Sequence, residues 1–252
     1  MTPALPKTFL ARPIAHRALH DLKSGRPENS LAAVSAAITA GFGIEIDVQL
    51  SADGVAMTFH DYALDRLTPE RGAIRARESA DLSTIPLKGG AGTIPTLKET
   101  LDLVAGKVPL LVEIKDQDGA LGDKVGALET AVARDLSGYR GDVAVMSFNP
   151  HSVAAMRDLA PKIARGLVTE RFPRLGWSVP RARRLELRGI PDFDRVEAAF
   201  ISHDVSDLAS EPVARLKARG VPILCWTVRS AKIEAKARRI ADNVTCEGYL
   251  PA

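Results

Sequence analysis

The chain has 252 residues, of which 46% are hydrophobic and 26% are charged, and its net charge at pH 7 is +3. This is the composition of an ordinary globular protein with a large core, and it excludes a chain too polar to fold. The slight positive charge does not indicate a general nucleic-acid-binding surface, but it is compatible with a small anionic substrate. The length suits one α/β barrel domain covering residues 1–252.

The sequence also carries signals about compartment. The first ten residues lack the apolar run of a signal peptide, and no stretch is apolar for long enough to span a bilayer. We therefore expect a cytoplasmic protein without stable membrane insertion. Cys225 and Cys246 lie in apolar strand-like runs without metal-ligand spacing, which predicts buried, reduced thiols. The sequence leaves a monomer and a homo-oligomer equally open.

The first predicted elements are a short strand, a polar loop and a helix. The strand ends in His16 and Arg17. Asn29 or Ser30 can cap the helix, because a side-chain oxygen at that position accepts a hydrogen bond from a free amide of the first turn. Gly41 marks the end of the helix.

The second predicted strand covers residues 43–50, where apolar and polar residues alternate. Its polar face carries Glu45, Asp47 and Gln49. Two carboxylates on neighbouring positions of one face repel each other unless a proton or a cation lies between them. Mg²⁺ and Ca²⁺ prefer such oxygen ligands. The strand therefore predicts a divalent cation site, with a solvated acidic face as the alternative.

A hairpin is predicted to follow this strand. Asp53-Gly54 is typical of a two-residue loop, since glycine tolerates the positive φ that such loops require. A two-residue loop at this point pairs Asp47 with His60 and Val48 with Phe59. The hairpin would thus bring an imidazole next to the two carboxylates.

The remaining chain alternates strands with helices. Residues 61–95 carry turn signals and predict a compact excursion over the site, after which Thr96 and Glu99 form a capping box that begins a helix. The third strand ends with Glu113 and Lys115 on one face. Five more strands are predicted over 142–148, 164–168, 199–203, 221–227 and 244–248. Without the return arm of the hairpin the strands number eight, which predicts a closed parallel (β/α)8 TIM barrel with a β-hairpin excursion after strand 2.

In such a barrel the chemistry gathers at the carboxyl ends of the strands. The chemistry-bearing residues at these ends are His16, Arg17, Glu45, Asp47, Glu113 and Lys115, with His60 delivered by the hairpin. Histidines titrate near neutrality and suit general acid–base catalysis. The other three histidines, His20, His151 and His203, lack this context and are expected to be structural.

The sequence resembles the glycerophosphodiester phosphodiesterase family over nearly the whole chain. The resemblance is carried by blocks in the family's order and approximate spacing: Ala15-His16-Arg17, Pro27-Glu28-Asn29-Ser30, Glu45-Ile46-Asp47-Val48, Asp53-Gly54, His60-Asp61, Leu64-Asp65-Arg66-Leu67-Thr68, Ile94-Pro95-Thr96-Leu97, Glu113-Ile114-Lys115, Ser147-Phe148 and Trp226-Thr227-Val228. It implies a barrel hydrolase of glycerol and lipid metabolism. Such an enzyme uses bound Mg²⁺ or Ca²⁺ to cleave glycerophosphodiesters, such as glycerophosphocholine or glycerophosphoethanolamine, to sn-glycerol 3-phosphate and an alcohol.

The resemblance also implies residue roles. Glu45, Asp47 and Glu113 correspond to the metal ligands, and His16 and His60 to the acid–base pair. The positions that correspond to substrate and phosphate contacts are Arg17, Lys115, Glu28 and Trp226.

The chain departs from the family pattern at two places. Ala18 follows His-Arg where the family usually has glycine, and the last strand ends in Thr245-Cys246-Glu247 instead of an Ile-Thr-Asp type sequence. Both departures leave the expected metal ligands and histidines in place but leave the substrate preference open.

Other functions remain open at this point. A related lyase would stop at a cyclic phosphate, a metal-dependent barrel aldolase would also place carboxylates at strand ends, and a binding protein could retain the barrel and its anion site without catalysis. The arginine-rich run over 181–188 could form a membrane or nucleic-acid surface, although a solvated helix face is the expectation.

Overall fold

The computed structural model describes residues 2–251. Its strands are β1 (Ile14–Ala15), β2 (Gly43–Leu50), β3 (Ala56–Thr58), β4 (Leu110–Ile114), β5 (Val143–Ser147), β6 (Ala164–Thr169), β7 (Phe200–Asp204), β8 (Ile223–Val228) and β9 (Asn243–Cys246). Its α-helices are α1 (Leu31–Ala40), α2 (Ser79–Leu82), α3 (Leu97–Val104), α4 (Ala127–Leu136), α5 (Pro150–Leu159), α6 (Arg181–Arg188), α7 (Glu211–Ala218) and α8 (Ala231–Ala237).

Eight parallel strands form a closed barrel. The sheet order is β1-β9-β8-β7-β6-β5-β4-β2-β3, and pairing of β1 with β2 closes the ring. The short β3 pairs antiparallel with β2 outside the ring. Each pair of consecutive barrel strands is joined by a segment that contains at least one helix. The predicted TIM barrel is therefore confirmed.

Capping side chains define the helix boundaries near the site. The Ser30 side chain accepts a hydrogen bond from the Ala33 amide at the start of α1, and Gly41 ends this helix with a left-handed φ of 69°. Thr96 and Glu99 form the predicted capping box of α3. Because these caps fix where α1 and α3 begin and where α1 ends, β2 enters the barrel at a defined residue.

The alternation along β2 separates two layers of core. Ile44, Ile46 and Val48 are fully buried and belong to the cluster between the barrel and helices α1, α3 and α4. A separate cluster fills the barrel and includes Leu111, Phe200 and, from the N-terminal segment, Phe9. The polar face of β2 therefore faces the open end of the barrel interior.

Gly166 on β6 makes room for a buried aromatic ring in the barrel. A Cβ at this position would lie 2.4 Å from Cε2 of Phe200, whose side chain is fully buried. Gly166→Ala is therefore expected to lower the free energy of unfolding by about 1–3 kcal/mol, because overpacking forces the ring out of its rotamer. Urea denaturation measures the change. Gly92→Ala is the control, since a Cβ there meets no atom of residues 2–251 within 4 Å. Equal midpoints for the two variants would contradict this account.

The predicted hairpin register is wrong by one residue. Val48 pairs with Thr58, and the carbonyl of Asp47 accepts a hydrogen bond from the amide of Phe59 at 2.9 Å. The loop has three residues instead of two: the Ser51 amide donates to the Val55 carbonyl at 3.0 Å, and Gly54 adopts a φ of 79°. The Ser51 hydroxyl favours this loop because it also accepts from the Val55 amide at 2.8 Å. His60 consequently lies beyond the end of β3 and is not the cross-strand partner of Asp47.

The segment after the hairpin packs on its own small apolar cluster. The cluster includes Phe59, Leu64 and Ile74, so that Phe59 points away from β2 and into this excursion. Cys225 and Cys246 are buried free thiols, as predicted, and burial raises the pKa of each to about 12. Within residues 2–251, every helix is too short or too polar to cross a bilayer.

Candidate active site

Three carboxylates meet at the carboxyl ends of β2 and β4. The parallel register pairs Asp47 directly with Glu113, and Glu45 lies two residues earlier on the same face of β2. One oxygen from each of these three side chains lies within 4.8 Å of the others, and all three residues are buried. The acids that the sequence predicted to converge are therefore brought together.

Lys115 partly compensates this negative charge. Its Nζ lies 2.7 Å from Oδ1 of Asp47 and 2.6 Å from Oε1 of Glu113. Burial acts to raise the pKa of Asp47, but the nearby Lys115, His60 and Arg17 outweigh it and hold this pKa far below its ordinary value. Burial, reinforced by repulsion from Asp47 and Glu113, instead raises the pKa of Glu45 well above 4.5.

The donor set fits a hard divalent cation. The Oε1 atom of Glu45 is buried without a hydrogen-bond partner in the described part of the chain, although burial of an unpaired charge is strongly unfavourable. Three carboxylates in one buried site supply the oxygen ligands that Mg²⁺ and Ca²⁺ prefer. Glu45, Asp47 and Glu113 are thus the residues that could hold such an ion.

The loop after β1 wraps around Glu45. Arg17 and Ala18 both adopt left-handed conformations, with φ values of 51° and 63°. This turn directs the Arg17 amide to Oε2 of Glu45 at 2.7 Å and the Ala18 amide to the Glu45 carbonyl at 2.8 Å. The alanine found where the family usually has glycine therefore keeps the loop, although the left-handed conformation costs a non-glycine residue about 1–2 kcal/mol.

Asn29 is a site residue that the sequence suggested only as a helix cap. Its φ is 58°, and its side chain bonds Asp47 twice: Nδ2 donates to Oδ2 at 2.9 Å, and Oδ1 accepts from the Asp47 amide at 3.1 Å. This pair of bonds orients the carboxylate toward Lys115. Ser30 takes the capping role instead.

His16 is paired with a carboxylate that directly follows the last strand of the barrel. Its Nδ1 lies 2.6 Å from Oε2 of Glu247, whose other oxygen accepts from Nε of Arg229 at 2.7 Å. Burial lowers the pKa of His16 below 6.5, and the bond to Glu247 only partly offsets this effect. Glu247 is thus the second residue whose role was missed. Its place at the end of the last barrel strand was the available signal.

His60 has a carboxylate partner of its own, and a chain of ion pairs connects it to Arg17. Nδ1 of His60 lies 2.6 Å from Oδ1 of Asp61, which also accepts from Arg66 at 2.8 Å. Arg66 donates to both oxygens of Glu28 at 2.8 and 2.9 Å, and Glu28 accepts from Arg17 at 2.7 Å. The excursion and the β1 loop therefore hold one another through alternating charges.

A cavity of about 340 Å³ opens at this end of the barrel. Seven of the predicted site residues line it, namely His16, Arg17, Glu45, His60, Glu113, Lys115 and Trp226. Asp47 lies behind this wall, and Glu28 binds Arg17 and Arg66 instead of facing the cavity. Two aromatic rings also line it: Trp226 packs edge-on against Phe148 with ring centroids 5.6 Å apart, and its indole nitrogen donates to the Ser202 carbonyl at 3.0 Å.

The other histidines have the structural surroundings that the sequence predicted, or lie at the edge of the site. His203 is buried and hydrogen-bonded to the Thr169 hydroxyl at 2.8 Å. His151 lies in the first turn of α5. His20 lies 3.6 Å from Glu247 without facing the cavity.

Comparison with known proteins identifies relatives of the whole domain. Residues 16–247 match the profile of the glycerophosphoryl diester phosphodiesterase family. The chain is 29% identical over 241 residues to a glycerophosphodiester phosphodiesterase of Caldanaerobacter subterraneus, with 92% of this chain and 91% of that protein covered. It is 27% identical over 245 residues to a putative glycerophosphodiester phosphodiesterase of Bacillus subtilis, covering 94% and 93% of the two chains.

A similar structure is that of a phosphodiesterase from Oleispira antarctica, determined in complex with its product sn-glycerol 3-phosphate. The TM-score is 0.78 at 26% identity, and the match covers 95% of this chain and 94% of that one.

Proposed function

This chain belongs to the glycerophosphoryl diester phosphodiesterase family, and from that premise we propose that it hydrolyses glycerophosphodiesters to sn-glycerol 3-phosphate and an alcohol. The observation that carries the proposal is the meeting of three acids, two cations and two histidine–carboxylate pairs around one barrel-end cavity. The product bound in the Oleispira antarctica structure supports the same reaction.

Arg17 and Lys115 are proposed to bind the phosphate. A phosphodiester carries a negative charge that repels nucleophiles, and both cations line the cavity. The planar guanidinium of Arg17 matches two phosphate oxygens, while the ammonium of Lys115 acts as a compact point charge. Glu28 positions Arg17 for this contact, because it holds the guanidinium from the side away from the cavity.

Glu45, Asp47 and Glu113 are proposed to hold a divalent cation, Mg²⁺ or Ca²⁺. When bound, such an ion would supply positive charge for the phosphoryl oxygens as negative charge develops on them. Asn29 and Lys115 orient the Asp47 carboxylate in this set.

His16 is proposed to act as the general base and His60 as the general acid. Burial keeps His16 neutral at pH 7, and donation from Nδ1 to Glu247 leaves the Nε2 lone pair free to accept a proton from the attacking hydroxyl. The attacking oxygen then bonds to phosphorus, the bond to the alcohol oxygen breaks, and His60 gives that oxygen a proton. Attack by water gives glycerol 3-phosphate in this one step, whereas attack by the glycerol 2-hydroxyl gives a cyclic phosphate that water opens in a second step. Asp61 holds the His60 ring for this step.

Trp226 and Phe148 are proposed to contact the carbon atoms of the substrate. Both rings line the cavity, Trp226 from β8 and Phe148 directly after β5. Apolar rings in the same cavity as a phosphate site suit the glycerol chain or the leaving alcohol.

Arg66 is expected to contribute to kcat/KM although its side chain is half-exposed. Arg66→Gln removes the bonds that hold both Asp61 and Glu28, so His60 and Arg17 lose their orientation together. We expect kcat/KM to fall about 100-fold, the order of magnitude for a misplacement of about 1 Å in a catalytic group. The control is Arg71→Gln, an exposed arginine of the same excursion. Equal activity of the two variants would show that the ion-pair chain does not position the site.

The reaction itself is tested with a coupled assay for glycerol 3-phosphate. The native chain is incubated with glycerophosphocholine or glycerophosphoethanolamine, first with a chelator and then with Mg²⁺ or Ca²⁺ restored. We expect release only with the cation, and phosphorus NMR of the products separates full hydrolysis from a reaction that stops at a cyclic phosphate. The proposal fails if neither substrate yields glycerol 3-phosphate under any of these conditions.

A further inference from the structure

The segment between β6 and β7 concentrates the positive charge of the protein. Residues 170–188 contain six arginines and two glutamates, a net charge of +4, whereas the whole chain carries +3. The rest of the chain is therefore close to neutral, at −1. The arginines are Arg171, Arg174, Arg181, Arg183, Arg184 and Arg188, and α6 carries the last four of them.

Most of this charge has no carboxylate partner in the described part of the chain. Arg183 pairs with Glu186 at 2.9 Å, but within residues 2–251 the other five guanidiniums lie more than 4 Å from any carboxylate oxygen. Two of the five are held in place by main-chain carbonyls: Arg184 donates to Val179 at 3.1 Å, and Arg188 donates to Arg171. These bonds fix position without neutralising charge.

Four of the unpaired arginines surround one surface depression. It has a volume of about 630 Å³ and is lined by Arg174, Arg181, Arg184, Leu185 and Arg188, which we call the arginine depression. Guanidiniums gathered in this way repel one another unless an anion lies between them. Phosphate groups are the anions that arginine recognises best, since the planar fork binds two oxygens.

Apolar side chains stand exposed beside the arginines. Leu175 is 88% exposed and Leu185 is 49% exposed. The aromatic residues of the segment are turned inward instead: Phe172 is buried, and Trp177 packs on Phe148 with ring centroids 5.1 Å apart. A nucleic acid would use exposed aromatic rings for stacking, whereas a lipid surface would use exposed leucines among arginines.

We propose that the arginine depression and Leu175 dock the protein on an anionic phospholipid surface. The segment begins directly after β6, at the end of the barrel where the cavity opens, and its ring contacts run through Phe148 to the cavity wall. Docking would thus hold the cavity beside a membrane, with arginines on phosphate groups and leucines in the headgroup region. The contact is peripheral and reversible, and it does not depend on the proposed reaction.

The test is sedimentation with vesicles of phosphatidylcholine alone or with phosphatidylglycerol as about one third of the lipid. We expect the native chain to bind only the anionic vesicles, and less so as salt is raised. Replacing Arg174 and Arg181 together with Gln should weaken binding roughly 25-fold, at about fivefold per arginine. Leu175→Asn should weaken binding without changing its dependence on salt.

The matched control replaces Lys232 and Arg239 with Gln, which removes the same charge from exposed positions at α8. Unfolding temperatures of both double variants are compared first, so that lost binding cannot be confused with lost structure. The proposal is overturned if the native chain does not bind the anionic vesicles, or if both double variants weaken this binding equally. It is also overturned if the native chain binds a single-stranded oligonucleotide and anionic vesicles do not displace it. Release of glycerol 3-phosphate from soluble substrate tests the proposed function separately.

Discussion

Replacing Glu45 with Gln is expected to lower cation affinity and activity together, with kcat/KM reduced roughly 10³-fold, since a bound metal supplies several kcal/mol of charge stabilisation. Glu45 is the acid of the three whose buried Oε1 has no hydrogen-bond partner among residues 2–251, so an ion would be its natural counter-charge. Isothermal titration with Mg²⁺ or Ca²⁺ measures the affinity, and the coupled assay measures the activity. Glu129→Gln is the control, because this buried acid only caps α4.

The Glu45→Gln variant is expected to lose activity but to gain folding stability when no cation is bound. With chelator present, native Glu45 is buried beside two other acids, which raises its pKa above the ordinary 4.5. A carboxyl group with a raised pKa binds its proton more tightly in the folded state, so its contribution to stability falls as pH rises above 4.5. Glu45→Gln removes this penalty. The variant should therefore gain stability over the native chain as pH rises, and undiminished cation affinity or a loss of stability would contradict the assigned role.

Replacing His16 with Ala is expected to reduce kcat roughly 10²–10⁴-fold, the usual contribution of a general base. Substrate binding should change much less, because Arg17 and Lys115 remain. His151→Ala is the matched control, since this residue lies on α5 away from the cavity. Full activity of His16→Ala would remove the proposed base.

The pH profile of Glu247→Gln tests whether His16 acts as the base or as the acid. As a base it must be neutral, so kcat/KM of the native enzyme should fall as pH drops through the His16 pKa, which lies below 6.5. The charges that face the ring are Glu247 and Asp47, which raise this pKa, and Arg17, which lowers it. Glu247→Gln removes the largest raising contribution, and the acid limb should move to lower pH. Movement of the alkaline limb alone would make His16 the acid.

Local patterns in the sequence were sufficient to predict the barrel and most residues of the candidate site. Strict alternation in β2 separates Ile44, Ile46 and Val48 from the acids, and caps at Ser30 and Thr96 begin the helices. These features depend on near neighbours in the chain, and near neighbours are what periodicity and capping report. The resemblance to a known family added residue roles that no pattern carried.

The hairpin shows where local reasoning failed. Asp53-Gly54 fits both a two-residue and a three-residue loop, and the choice was made by hydrogen bonds of Ser51 and by the contact of Asp53 with Ser79, which lies 26 residues away. A shift of one residue changes every cross-strand partner. The predicted pairing of Asp47 with His60 was lost in this way, although both residues remain at the site.

By itself the sequence determined that this protein is a TIM barrel with acids, cations and histidines at its strand ends, because strand period and strand order place them there. Only the tertiary structure decided which carboxylate His16 meets and which arginines share Glu28. Glu247 contacts His16 although the two residues lie 231 positions apart in the chain. Glu28 joins Arg17 to Arg66 across two loops. Such partners are chosen by closure of the ring and by side-chain reach in space, and neither is written in the spacing of residues along the chain.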